Sequence, residues 1–215
     1  MRRKRSSRRS TYLFVVFAIV FIACDPVDNM VPTATYDPGD CHEGVIGAEV
    51  CQADNASDSV YTASLSQALR DGVEQTLNQS YETTDLDIQY TTNPVYSADN
   101  NAETDIIYLI NDNLPSNALA RTYCEDRDGG GVQCDQHYVE FDRGTICATW
   151  DCTNPDENQR VGCHETGHAV GLTHGSEAYP VVPNDYGPLY CLRTPAAATT
   201  RNMGADNEAL INATY

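Results

Sequence analysis

Beyond residue 24 the chain contains no lysine. Its only cations there are seven arginines, set against all 31 acidic residues, so that stretch carries a formal charge of −24. A surface so poor in positive charge excludes nucleic acid as a partner, because phosphate backbones are bound by lysine and arginine. Such a chain repels itself, and salt screens the repulsion over about 10 Å at 0.1 M but over only about 3 Å at 1 M. The charge therefore predicts a requirement for high salt. A long hydrophobic run is also missing. The longest, Thr11 to Ala23, spans thirteen residues, short of the roughly 20 that a membrane helix needs.

That run follows ten residues with six basic side chains, so residues 1–24 read as an export signal with a charged n-region and an apolar h-region. Arg8-Arg9 looks like a twin-arginine signal, and Phe21-Ile22-Ala23-Cys24 like a lipobox whose cysteine becomes lipidated. An ordinary cleaved signal and an uncleaved anchor are the alternatives. A lipid at Cys24 would be the only link to a membrane, and the product is expected outside the cell or on its surface. Nine cysteines less Cys24 leave eight, an even set that in an exported chain reads as four disulfides. The expected pairs are sequential: Cys41–Cys51, Cys124–Cys134, Cys147–Cys152 and Cys163–Cys191.

Residues 25–60 are rich in Pro, Asp, Gly and Asn and read as a tether or a removable pro-segment. Residues 61–215 are long enough for one core and are expected to form a single monomeric domain. Leu65, Ala68, Leu69, Val73 and Leu77 recur at helical spacing and predict an amphipathic helix over 63–79. Leu86, Ile88 and Tyr90 alternate with polar residues, as in a strand with one wet face, whereas Ile106 to Ile110 is continuously apolar, as in a central strand. Residues 111–136 read as a long polar loop. Its Glu125, Asp126 and Asp128 suggest calcium, but their spacing matches no calcium motif, and a solvated loop is the expectation. Tyr138–Phe141 and Thr145–Trp150 read as two strands around a turn at 142–144. Asn154, Pro155, Asp156 and Glu157 form a helix start, with an N-cap, a first-position proline and acids in the first turn, and predict a helix to about Val170. Sequons at Asn55, Asn78 and Asn212 suit exposed positions, and His42 and His137 read as surface histidines.

The helix from Pro155 carries His164, Glu165 and His168, followed by Gly171 and His174, the spacing HExxHxxGxxH. Residues four apart share a helix face, so His164 and His168 can point at one ion. Gly171 falls where the chain must turn, a place that favours a left-handed residue, and His174 can then return as a third ligand. Three imidazoles suit zinc and leave a fourth tetrahedral position for water, as in catalytic sites. Zinc would bring the pKa of that water to roughly 7, with Glu165 placed to take its proton.

These residues resemble the metzincin clan of zinc endopeptidases, among them matrixin-like and snapalysin-like catalytic domains, whose motif is followed by a methionine-containing turn. Met203 is the only methionine after the motif. The resemblance implies an α+β fold, a twisted mixed β-sheet packed on two long helices, with zinc at the floor of a cleft. It also implies a polypeptide substrate and Glu165 as general base and then acid. Ala205 stands where some branches place a tyrosine ligand, so Tyr179, Tyr186 and Tyr190 are left as candidates to stabilise an oxyanion. Cys41 or Cys51 as a pro-segment ligand to zinc, a device of some matrix metalloproteinases, is a competing idea, but neither stands in a recognisable switch motif. The lysine-free, aspartate-rich composition resembles exported proteins of salt-loving archaea. A cell-surface binding or structural protein with a non-catalytic zinc site is the alternative.

Overall fold

The computed structural model describes residues 42–43, 49–97, 103–115, 118–127, 129, 133–177, 181–194 and 200–215. Residues 1–24, expected as an export signal with Cys24 at its end, lie outside the described residues, as do Cys41, Asp128 and Tyr179. Two short strands, β1 (His42–Glu43) and β2 (Glu49–Val50), pair antiparallel ahead of the main sheet. The sheet itself starts with β3 (Ser57–Tyr61), four residues before the boundary expected at 61. Cys51 and Ala53 are already buried, and Cys134 N donates to Gln52 O at 2.8 Å. The upstream segment is thus stitched to the sheet as far back as residue 51.

After β3 come helix α1 (Gln67–Thr76), its π-helical extension Leu77–Tyr81, and strands β4 (Asp87–Tyr90) and β5 (Ile106–Ile110). Strands β6 (Ala120–Arg127) and β7 (Cys134–Phe141) follow, so the polar segment 111–136 is largely hairpin rather than loop. Its strand was hidden because β6 is an edge with only alternate residues covered: Ala120 and Thr122 are buried while Arg121 and Tyr123 stay partly wet. The sheet order is β4-β3-β5-β7-β6, with β6 antiparallel to β7 and the other neighbours parallel. The continuous apolar run of β5 takes a central place, as expected for a strand covered on both sides.

Segment 145–150, expected as a strand, belongs to α2 (Arg143–Thr149). The Asp142 carboxylate accepts from Thr145 N at 2.7 Å, and this cap outweighs the weak strand preference of a short stretch. Helix α3 (Pro155–Ala169) starts at the Asn154 cap and ends one residue short of the expected Val170. A 3-10 segment (Gly187–Leu192) and α4 (Ala205–Thr214) complete the α+β fold. Among the described residues no helix is long and apolar enough to cross a membrane.

Helices α1 and α3 cross in very close contact. A Cβ on Gly72 would lie 2.7 Å from Pro155 O and Gln159 N, so only glycine lets the backbones meet there. The contact is sealed by hydrogen bonds to the carbonyls of α3: Thr76 Oγ1 to Gln159 O at 2.9 Å and Tyr81 OH to Cys163 O at 2.8 Å. From the central strand, Tyr108 OH meets Thr166 Oγ1 at 2.8 Å. Helix α3 is thereby fixed along its length by side chains from α1, the π turn and β5.

Three disulfides match the sequential expectation: Cys124–Cys134 across the β6/β7 hairpin, Cys147–Cys152 after α2, and Cys163–Cys191 from α3 to the 3-10 segment. They fit an oxidising, extracellular setting. Cys51 is also disulfide-bonded and fully buried, so it is not a free thiol available to a metal. His137, expected at the surface, is instead 1 % exposed. Its Nε2 lies 2.9 Å from Cys51 O, and burial lowers its pKa to about 4, so it is a neutral donor inside the core. Asn55, Asn78 and Asn212 are all exposed.

Candidate metal centre

His164 and His168 sit one turn apart on α3. The helix then stops: Gly171 takes φ +87°, Leu172 N donates to Gly167 O at 2.8 Å, and the chain swings back with His174. The three Nε2 atoms converge. His168 Nε2 is 3.2 Å from His164 Nε2 and 3.2 Å from His174 Nε2, and the remaining pair is 2.9 Å apart. This cluster could hold a metal ion, and among the described residues no other group of three His, Cys, Asp or Glu ligands converges in this way. The acidic side chains Glu125 and Asp126 form no such group, so calcium gains no support.

The tautomers follow from the acceptors. His164 Nδ1 is 2.7 Å from Cys191 O and His168 Nδ1 is 2.8 Å from Leu172 O; a carbonyl only accepts, so each Nδ1 carries the hydrogen. The corresponding Nε2 atoms then present lone pairs to one another. Burial first, then the neighbouring imidazoles, hold His168 well below the usual histidine range, and the same causes lower His174 to about 3. Two lone pairs fixed in this way, beside the Nε2 of a third imidazole, suit a cation. Tetrahedral coordination at about 2.0–2.1 Å places nitrogen donors roughly 3.3 Å apart, close to the spacing observed. His174 Nδ1 faces Glu177 Oε2 at 3.9 Å, beyond hydrogen-bond range.

Glu165 is 6 % exposed and points from the same turn of α3. Thr122 Oγ1, on edge strand β6, is 2.9 Å from both Glu165 Oε2 and Glu165 O. Burial raises the pKa of Glu165, while His164 and the Thr122 hydrogen bond pull it down. Thr122 lies 43 residues away in sequence, and no motif marks it. Met203 is fully buried in the core cluster with Leu189, Cys191 and Leu192, and its carbonyl accepts from Asn207 Nδ2 at 2.6 Å. Of the tyrosines considered for an oxyanion, Tyr186 is exposed, and Tyr190 has φ 49° with its ring packed against Gly204.

Beside the triad is a cavity of about 280 Å³ that His164 and Glu165 help to line. Its walls include Leu119 from the start of β6, Trp150, and Val161 of α3, and it also holds two arginines, Arg160 and Arg193. Sequence reasoning missed this pocket. The scarcity of arginine in the chain was the available signal.

No family model matches the chain. No curated protein matches it either. Among solved structures, 57 chains match. One is 18% identical with a TM-score of 0.35, covering 86% of this chain and 76% of its own. Another is 16% identical with a TM-score of 0.32, covering 72% and 63%. Both are structures of myroilysin. These are partial likenesses of shape, and the chemistry of the centre follows from its own side chains.

Proposed function

We propose that the chain is an exported zinc endopeptidase of the metzincin type, in which His164, His168 and His174 hold the ion and Glu165 is the general base. The observation that carries this reading is the convergence of three Nε2 atoms, two of them on rings whose Nδ1 hydrogens are held by carbonyls, with a buried carboxylate on the same helical turn. Zinc held there would act as a Lewis acid on the scissile carbonyl and bring the pKa of water at the open position to roughly 7.

The chain's own residues do the rest. Thr122 Oγ1 donates to Glu165 Oε2 and orients the carboxylate, leaving Oε1 to take a proton from water and then pass it to the leaving amine. Burial keeps Glu165 closer to neutrality in affinity than an exposed carboxylate, as suits a group that must both accept and release a proton. Among the described residues strand β6 pairs with β7 alone, and in this reading its other edge would offer backbone groups to an extended peptide. Gly171 stops the helix so that His174 can return, and Met203, buried in the core, is the methionine of the supporting turn in this reading. In this reading residues 1–24 direct export, and the catalytic domain runs from β3 to the C-terminus.

The test is zinc content and casein cleavage in molar salt, with Glu165→Gln alongside. One zinc per chain, with cleavage lost on chelation and reduced at least about 10²-fold by the substitution, supports the proposal. Equal cleavage by both proteins would overturn it, as would a folded chain that takes up no zinc.

A further inference from the structure

The cavity beside the triad is anomalous in its charge. The chain has 31 acidic residues and, beyond its signal, seven arginines, yet this cavity is lined by two arginines and a single carboxylate, Glu165. The two arginines differ. Arg160 is 3 % exposed, its Nη2 lies 2.6 Å from Glu157 Oε2, and its guanidinium stacks over the Trp150 ring at 4.9 Å. It is a charge-balanced floor.

Arg193 is half-buried and makes no ion pair among the described residues. Its Nε donates to Asp185 O at 2.9 Å, and the next residue, Thr194, donates its N–H to Asn184 O at 2.8 Å. These two bonds hold the arginine stem in place, and among the described residues no acceptor meets its terminal nitrogens. A cation held in advance in a partly enclosed cavity binds a carboxylate more strongly than a freely moving one in water. Leu119, Val161 and Trp150 meanwhile offer apolar wall to the methylenes that carry such a carboxylate. Glu165 is turned toward Thr122, at the end of the cavity where the bond is to be cut.

We propose that this cavity receives an acidic side chain of the polypeptide substrate, glutamate before aspartate, at a residue flanking the cleaved bond, and that Arg193 is the specificity-determining residue. The inference rests on the peptidase reading and names its substrate class. It also accords with a chain whose other surfaces are too acidic to attract such a substrate.

The experiment uses the zinc-loaded full chain and peptides that vary one position at a time across the cleavage site, with Glu, Gln and Lys compared at each. At one position kcat/KM is expected to favour Glu over Gln by about 10-fold or more. In Arg193→Gln that ratio should fall toward unity, whereas Arg193→Lys should retain part of it, each variant being checked for one zinc per chain. Cleavage by the wild type with no discrimination between Glu and Gln at any position overturns the inference and leaves the peptidase reading intact. Equal loss of the ratio in both variants also overturns it, because charge would then not be the cause. No cleavage of any peptide by the zinc-loaded chain overturns the peptidase reading itself, and the inference with it.

Discussion

His164 Nδ1 lies 2.7 Å from the carbonyl oxygen of Cys191, and the sulfur of Cys191 is bonded to Cys163, the residue before His164. One residue of the 3-10 segment therefore orients His164 and is tied covalently beside it. Removing the tie by replacing Cys163 and Cys191 together with alanine should loosen that carbonyl. Zinc affinity is expected to fall by about 10- to 100-fold, the usual cost of losing an outer-shell partner. The chain-entropy model for a loop of this length adds a stability loss of about 3–4 kcal/mol. Competition with a chelator and thermal melting of the metal-free protein separate the two effects.

Thr122→Val removes the hydroxyl that bonds to Glu165. That bond lowers the pKa of Glu165, so its loss raises the pKa further and leaves the base protonated over more of the acid range. The acid limb of the kcat/KM profile should move to higher pH, and kcat should fall by about 10-fold or more. An unchanged acid limb would mean that Thr122 does not tune the base.

Asp58 is 1 % exposed, and its pKa is raised to about 8 by burial and then by the charges of Asp105 and Asp54. A carboxyl whose folded pKa exceeds its unfolded value of 3.8 contributes stability that is complete below about 3.8 and lost as pH rises through about 8. Asp58→Asn should therefore gain on the wild type as pH rises from 5 to 9. Melting curves of both proteins across that range check the sign.

Gly72→Ala should destabilise by about 1–3 kcal/mol, because the added methyl would press into the backbone of α3. Gly187→Ala is the control: nothing lies within 4 Å of its added Cβ, and a change within about 0.5 kcal/mol is expected. Denaturant midpoints in molar salt give both values.

Salt itself is the last variable. With a formal charge of −24 beyond the signal, the melting temperature should climb steeply between about 0.1 and 2 M NaCl. A flat response would show that the acidic surface carries no such penalty.

Most of the metal centre could be read in the sequence because α3 and the turn after it are local: His164, Glu165, His168, Gly171 and His174 fall within eleven residues. The sequential cysteine pairs were legible for the same reason. What brings distant chain together was not. Thr122, Tyr81 and Tyr108 reach α3 from other elements, and a lone threonine or tyrosine gives no hint of its partner. Segment 145–150 misled because its β-branched and aromatic residues suggested a strand while Asp142, just outside it, capped a helix. Edge strand β6 was hidden by its polarity, and His137 by the upstream segment that covers it.

Two of the three imidazoles are aimed by carbonyls that lie beyond α3, Leu172 in the turn after it and Cys191 in the 3-10 segment. The orientation of the His164 and His168 rings and the path of the backbone at Leu172 and Cys191 are consequently one property, and each reports on the other. An ion held by this cluster would therefore tie the turn after α3 to the 3-10 segment, two stretches that are otherwise nearly 20 residues apart.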